Sequence, residues 1–193
     1  MAHPAPTEQG PEARYTSERY FALVSEGVLQ PDDRVELLEG VIVAMAPQNP
    51  RHASATIWGY DALHEVTKGR AVMRTQMPLV LGSYSVPEPD IAVVPGRRED
   101  YVDRHPSTAL LVVEVADSSL AQDRLTKAAI YAAAGIPEHW LVNLRDDRVE
   151  IFRSPDQKGR RYGVTTIARR GERLSIASLP DASVGVDDLL PAR

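Results

Sequence analysis

Apolar and polar positions follow two different periods along the chain, and the change of period separates predicted helices from predicted strands. Residues 16–26 carry apolar side chains at helical spacing; Thr16 or Ser17 can cap this helix and Gly27 can end it. Residues 52–68, closed by Gly69, show helical spacing again. We therefore predict a short docking helix and a second, longer helix.

Runs rich in β-branched residues predict the strands of a sheet. Residues 35–44 predict two short strands on either side of a Glu39-Gly40 step that turns or bulges the chain. The run 110–116 is apolar nearly throughout except for Glu114, as in a strand inside a sheet. The other predicted strands are 72–81, 90–94, 139–143, 149–153, 162–167 and 173–176, followed by a polar tail.

A further helix is predicted between two of these strands. Residues 119–122 fit a capping box, and an alanine-rich stretch continues the helix to Gly135, beyond which Pro137 blocks it. A helix between two strands predicts a crossover that makes the strands parallel neighbours. The expected fold is α/β (an α+β mixed sheet), with helices flanking a central sheet. We expect one domain over residues 15–193 after a disordered segment at 1–14.

Composition narrows the functional classes. The chain has no cysteine, which excludes disulfides, thiolate nucleophiles and cysteine-based zinc sites, and it is compatible with the cytoplasm, where we expect it. No apolar run approaches the roughly 20 residues that span a bilayer, so we expect no membrane partner. The net charge of -5 disfavours non-specific nucleic-acid binding by the whole surface. A local basic groove would be needed, and candidates are Arg97/Arg98, Lys158/Arg160/Arg161 and Arg169/Arg170/Arg173, although such runs are often solvated surface.

Two carboxylates lie in or beside apolar strands. Glu114 needs a compensating partner if it is buried, although it could also face solvent at a strand end or pair with an arginine. Asp90 begins another apolar run after Pro87 and Pro89; the plain alternative for it is turn chemistry. Two close carboxylates repel unless a cation lies between them, and oxygen ligands suit Mg²⁺. A shared metal site would satisfy both.

The crossover helix carries a polar stripe. Asp123, Lys127 and Tyr131 recur every four residues and share one face. An exposed Asp123–Lys127 ion pair is one interpretation, and a lysine directed at the metal is the other. Tyr131 and Trp140 are expected to be packing residues rather than platforms for stacked bases.

These segments resemble the Uma family of putative restriction endonucleases, which belongs to the PD-(D/E)XK nuclease superfamily. The resemblance runs from about residue 15 to residue 152, and it rests on Val-Glu-Leu-Leu-Glu-Gly, His52, the two carboxylate strands, Asp-Arg-Leu-Thr-Lys, Tyr131 and Gly-Ile-Pro-Glu-His-Trp-Leu-Val. It implies a restriction-endonuclease-like core with Asp90 and Glu114 as catalytic ligands of Mg²⁺, for which Mn²⁺ can substitute. It also implies Glu39 as a third acidic contributor.

The chain departs from the superfamily pattern at one position. Ala116 stands where a lysine is expected, two residues after Glu114, and the resemblance suggests Lys127 as a catalytic substitute from the neighbouring helix. His52 and Gln76 are additional candidates, each with a simpler role as a capping or surface group.

The expected activity is metal-dependent hydrolysis of phosphodiester bonds, with DNA as the partner and a homodimer as the assembly that double-strand cutting often requires. The missing lysine at position 116 leaves a second hypothesis, an inactive nuclease fold that binds nucleic acid or protein. A third is a carboxylate-pair hydrolase such as a glycosidase, which would act without a metal.

Overall fold

A computed structural model describes residues 14–30, 32–117 and 123–192, with the backbone alone at positions 123 and 124. The predicted disordered segment, apart from Arg14, and the predicted capping box at 119–122 therefore lie outside the described residues. The same holds for the side chain of Asp123, and with it the predicted Asp123–Lys127 pair.

A six-stranded mixed sheet forms the centre of the fold, which confirms the predicted α/β architecture. Its strands are β3 (Val72–Arg74), β4 (Ile91–Val94), β5 (Leu111–Ala116), β6 (Glu138–Asn143), β7 (Arg148–Asp156) and β8 (Arg161–Arg169). They lie in the order of their numbers, and neighbours are antiparallel except β5 and β6, which are parallel. This parallel pair confirms the predicted crossover.

Two helices precede this sheet along the chain. Helix α1 (Ser17–Ser25) is capped by Thr16, whose hydroxyl accepts from the Arg19 amide at 3.1 Å. Helix α2 (Pro50–Thr67) begins two residues before the predicted start because Asn49 is its cap. The amide of His52 donates to Asn49 Oδ1 at 2.9 Å, so the capping role belongs to Asn49 rather than to His52. Among the described residues, no helix is long and apolar enough to cross a membrane.

A hairpin lies against the loop that enters β4. Strands β1 (Val35–Leu38) and β2 (Val41–Ala44) are antiparallel, and the left-handed φ angles of Glu39 (53°) and Gly40 (84°) confirm the predicted turn between them. Leu37 forms an isolated bridge to Val86, whose amide donates to the Leu37 carbonyl at 2.7 Å. This bridge fixes β1 beside the segment that leads to Asp90.

The crossover helix is irregular where it approaches the sheet. Residues Asp123–Lys127 form a π-helical turn, and only then does the chain continue as α3 (Ala128–Ala133), which ends before Gly135 at a φ of 74°. The sequence predicted a regular helix throughout this stretch. A π turn widens the backbone and changes the direction of the side chains that follow.

Two other expectations are wrong. The strand predicted at 72–81 ends at Arg74, because Gln76 adopts a left-handed φ of 50° that breaks the ladder. The chain also does not end in a polar tail: β9 (Arg173–Ile176) and β10 (Leu179–Gly185) form a hairpin followed by a 3₁₀ turn, Val186–Asp188. The buried apolar residues of this region join the main core: Leu174, Ile176, Ala182, Val184, Val186, Leu189 and Leu190.

The two faces of β5 separate the core from the site. Val113 and Val115 belong to the main hydrophobic cluster, into which α2 inserts Ala55 and Leu63. Val112 packs on the other face with residues of α3, and Ala116 packs there with Leu141 and Phe152. Glu114 therefore points toward the crossover helix.

Candidate active site

The strand register brings Asp90 and Glu114 together. Ile91 pairs with Val113 in the antiparallel β4–β5 ladder, so continuing the register by one residue places Asp90 opposite Glu114. Both residues are buried and both line one cavity of about 70 Å³. Like charges directly opposite each other on neighbouring strands are destabilising unless other groups compensate them.

Asp90 is held from four directions. Its Oδ2 accepts from the backbone amide of Val115 at 2.8 Å and lies 3.2 Å from His52 Nε2. Its Oδ1 faces the side-chain amides of Gln76 and Gln48, with Nε2 atoms at 3.4 and 3.5 Å. The two additional candidates, His52 and Gln76, are thus both placed beside Asp90.

Glu114 is held by the crossover helix. Its Oε1 accepts from the Tyr131 hydroxyl at 2.5 Å and lies 3.2 Å from Lys127 Nζ. Tyr131 is fully buried, as its expected packing role requires, but it also contacts the candidate site. Its spacing of four residues from Lys127 was the sequence signal for that second role. Trp140 remains a core residue; its ring nitrogen donates to Glu138 at 2.8 Å.

The first hairpin supplies a glutamate that sequence reasoning missed. Glu36 lines the cavity, accepts from the Glu88 amide at 3.1 Å, and lies 3.2 Å from Lys127 Nζ through its Oε1. Glu39, the predicted third acid, is in the hairpin turn and pairs with Arg160 at a different surface depression. The structure therefore does not bring Glu39 to the other site residues.

Lys127 is a buried cation between two carboxylates. The side chain is 7% exposed, and it lies 3.2 Å from both Glu36 and Glu114. It is the last residue of the π turn, so the irregular backbone sets its approach to the sheet. Burial of an ammonium is costly without close anionic partners, and these two glutamates supply them.

Carboxylates dominate the cavity wall. Burial and the neighbouring Glu36 raise the pKa of Glu88, whereas Lys127 and Arg34 act in the opposite direction. The described wall thus carries more anionic than cationic side chains: Glu36, Glu88, Asp90, Glu114 and Asp117 against Arg34 and Lys127. An anionic, oxygen-lined cavity of this kind attracts a divalent cation.

The donors fit Mg²⁺ chemically, because Mg²⁺ is commonly bound by one or two carboxylates and keeps several waters. Asp90 and Glu114 supply two carboxylates at one cavity. Within the described part of the chain, no group of three or more His, Asp or Glu side chains could hold a metal. Water and substrate oxygens would have to complete the coordination.

The Uma2 family, described as putative restriction endonuclease, matches residues 17–188. The chain belongs to this family. No curated protein matches it. A solved structure described as a putative nuclease belonging to DUF820, from Anabaena variabilis ATCC 29413, is similar in fold. Its TM-score is 0.70 at 17% sequence identity, over 90% of this chain and 96% of that chain.

Membership of Uma2 agrees with the resemblance inferred from the sequence, and it assigns a nuclease class in general terms. Two arginines in one of the basic runs of this Uma2 chain are engaged within the fold. Arg170 contacts Asp147 at 2.8 Å and Asp187 at 3.3 Å, and hydrogen bonding to Asp147 raises its pKa. Arg173 donates to the Ser183 carbonyl at 2.7 Å. These arginines stabilise the fold, so they are poor candidates for a phosphate-binding groove.

Proposed function

We propose that the chain is a Mg²⁺-dependent nuclease that hydrolyses phosphodiester bonds in DNA, with Asp90 and Glu114 as the metal ligands. The observation that carries this proposal is the pair of buried carboxylates brought opposite each other by the β4–β5 register. Lys127, His52 and the Val115 amide offset part of the repulsion between these two groups, and a divalent ion bound by both would offset it further. Mn²⁺ has similar ligand preferences and can substitute.

The chain's own residues would act in distinct ways. His52 and the Val115 amide hold one oxygen of Asp90, and Tyr131 orients Glu114. Lys127, a fixed positive charge at the cavity, would stabilise the negative charge that builds on the phosphate oxygens. Bound Mg²⁺ would supply Lewis acidity and a more acidic water.

Glu36 would position Lys127 rather than touch the substrate. Its Oε1 lies 3.2 Å from the Lys127 ammonium, as does Oε1 of Glu114, and its other oxygen accepts from the Glu88 amide. Two carboxylates on one ammonium favour the charged lysine, which is the form that the proposed role requires.

The test is cleavage of supercoiled plasmid, linear duplex, single-stranded DNA and RNA, each with Mg²⁺, Mn²⁺ or EDTA. We expect DNA cleavage that EDTA abolishes and that Asp90→Asn reduces by at least ~100-fold. Asp103→Asn is the matched control, because Asp103 is exposed and lies away from the cavity. Cleavage that persists in EDTA, or that Asp90→Asn leaves unchanged, would refute the metal-dependent mechanism. Cleavage of RNA alone would refute the DNA assignment.

A homodimer is proposed as the assembly for double-strand cutting. Sedimentation of the full chain with and without duplex DNA tests it. A monomer in both conditions would contradict this part of the proposal while leaving the chemistry intact.

A further inference from the structure

A second depression, the Gln76 pocket, adjoins the carboxylate cavity. It has a volume of about 360 Å³ and lies between the first half of α2 and the loop after β3. Its lining includes Gln48, Thr56, Ile57, Tyr60 and Gln76. Gln48 lines both depressions, and Gln48 and Gln76 both approach Asp90 Oδ1. A molecule with one group at Asp90 could therefore continue directly into the Gln76 pocket.

The walls of the pocket combine an apolar surface with amides. Ile57 is 60% exposed although it is a large apolar side chain, and Tyr60 stacks on His64 with ring centroids 5.6 Å apart. Each glutamine amide offers both a donor and an acceptor, even when one of its N–H groups points to Asp90. Pockets with apolar walls and a few convergent polar groups are typical small-ligand sites.

The backbone at Gln76 is held in an uncommon conformation that favours this placement. Its φ is 50°, which a residue with a long side chain rarely adopts, and its amide donates to the Pro89 carbonyl at 3.0 Å. That bond ties the residue to the segment immediately before Asp90. Left-handed backbone at a non-glycine residue costs free energy, and such costs concentrate at functional positions.

We propose that the Gln76 pocket binds one unstacked nucleobase of the nucleic-acid strand whose phosphate lies at Asp90 and Glu114. Glutamine amides pair with the donor and acceptor edges of bases, and apolar or aromatic side chains hold the base face. The pocket would thus make cleavage depend on the identity of the nucleotide beside the scissile phosphate. This inference rests on the proposed nuclease function and specifies its substrate contact.

The test is the cleavage profile of a random-sequence single-stranded oligonucleotide pool in Mg²⁺. Wild type is expected to prefer certain bases at one position beside the cut. Gln76→Gly should reduce that preference by ~10-fold or more, as expected for the loss of one base-pairing side chain. Glycine adopts φ near 50° freely, so this variant should not strain the backbone. Ile57→Ala should raise KM, and Ile167→Ala, which truncates another exposed isoleucine, on β8, should match wild type.

A separate measurement distinguishes failure of the pocket from failure of the nuclease. Binding of free nucleosides is followed by saturation-transfer NMR in EDTA, where cleavage plays no part. If wild type cleaves nucleic acid, the cleavage profile tests the inference. An identical base preference beside the cut in Gln76→Gly and wild type overturns it. If wild type cleaves nothing, the proposed function fails, and nucleoside binding alone tests whether the pocket binds a base. Binding that Ile57→Ala weakens and Ile167→Ala preserves supports the pocket, and no binding, or binding that Ile57→Ala leaves unchanged, overturns it.

Discussion

The ammonium of Lys127 lies 3.2 Å from Glu114 Oε1, although the two residues belong to different elements of the fold. In the superfamily pattern the lysine follows the glutamate on one strand, two residues later. Here Ala116 occupies that position and is fully buried against Leu141 and Phe152. The π turn at the start of the crossover helix brings a cation to the same carboxylate from outside the strand.

Lys127→Met should reduce DNA cleavage by at least ~100-fold while Mg²⁺ binding, measured by calorimetry, is retained. The physical reason is the loss of the positive charge proposed to stabilise the phosphate oxygens. Lys68→Met, which removes an exposed lysine after α2, is the control and should cleave as wild type does. Wild-type cleavage by Lys127→Met would remove this residue from the mechanism.

The same variant has a stability cost that can be separated from its effect on cleavage. Removing one partner of a buried ion pair costs about 3–5 kcal/mol, because the remaining charge is left uncompensated. Adding Glu36→Gln to Lys127→Met should recover part of this loss in denaturant unfolding, and cleavage should stay low. No recovery would mean that Glu36 and Lys127 are not coupled.

Mg²⁺ or Mn²⁺ should raise the melting temperature of the wild type, since a ligand that binds the folded state stabilises it. Glu114→Gln should abolish most of this rise by removing one of the two proposed ligands. Glu150→Gln is the matched control: Glu150 is also buried but contacts Asn143 and Arg148 instead of the cavity. An equal metal response in the two variants would contradict the assignment of Glu114.

Substitution of the two glutamates of the first hairpin should affect DNA cleavage to very different extents. Glu36→Gln is expected to lower cleavage by ~10-fold or more, because Glu36 holds Lys127 in the cavity. Glu39→Gln should leave cleavage close to wild type, because Glu39 pairs with Arg160 elsewhere. Steady-state rates on one duplex substrate make the comparison. The reverse order would restore Glu39 as the third acid and exclude Glu36.

Tyr131→Phe should destabilise the fold by about 1.5–3 kcal/mol and also lower kcat, because its hydroxyl donates to a carboxylate. Tyr162→Phe offers a comparison, since the Tyr162 hydroxyl donates to the Ile136 carbonyl at 2.9 Å. That variant should lose about 1 kcal/mol of stability and keep kcat. Equal kcat values for both variants would limit Tyr131 to packing.

His139 should make stability depend on acid pH. Burial lowers its pKa to about 3, with a smaller contribution from Lys127 and an opposing one from Glu150. The unfolded chain has a histidine pKa near 6.5, so between about pH 3 and 6.5 the unfolded state binds the extra proton. The stabilisation is therefore complete above about pH 6.5 and decreases by about 1.4 kcal/mol per pH unit below it.

His139→Phe should remove this part of the pH dependence in urea unfolding, because phenylalanine retains the packing against Phe152 and Tyr131 without a titrating ring. His64→Phe, on the partly exposed face of α2, should retain the wild-type slope. A wild-type slope in His139→Phe would show that another group governs the acid response.

Much of the fold and part of the site could be predicted from local patterns. Asp90 and Glu114 stand out because a carboxylate in an apolar strand is costly, and the crossover helix is marked by Gly135 and Pro137. Alternation also places Ala116 on the Glu114 face. Each of these signals lies within a few residues of the group that it identifies.

The rest depends on contacts between distant segments. Residues 36–38 are all buried, so alternation along β1 cannot distinguish a cavity-facing glutamate from a turn glutamate. The Leu37–Val86 bridge makes that distinction, and nothing local predicts it. The C-terminal hairpin does have a local signal, because Ala182, Val184 and Val186 alternate with Asp181, Ser183 and Gly185. That period-two signal was present in the sequence.

The ion pair between Glu36 and Lys127 joins the first hairpin to the crossover helix, and this has a kinetic consequence. Contacts between segments far apart in the chain form slowly, because the loop entropy must be lost before the contact stabilises anything. The hairpin and the helix turn can each form early from local interactions, but neither alone holds the lysine at Glu114. During synthesis from the N-terminus, the candidate site is therefore completed only after residue 127 has been made and has docked.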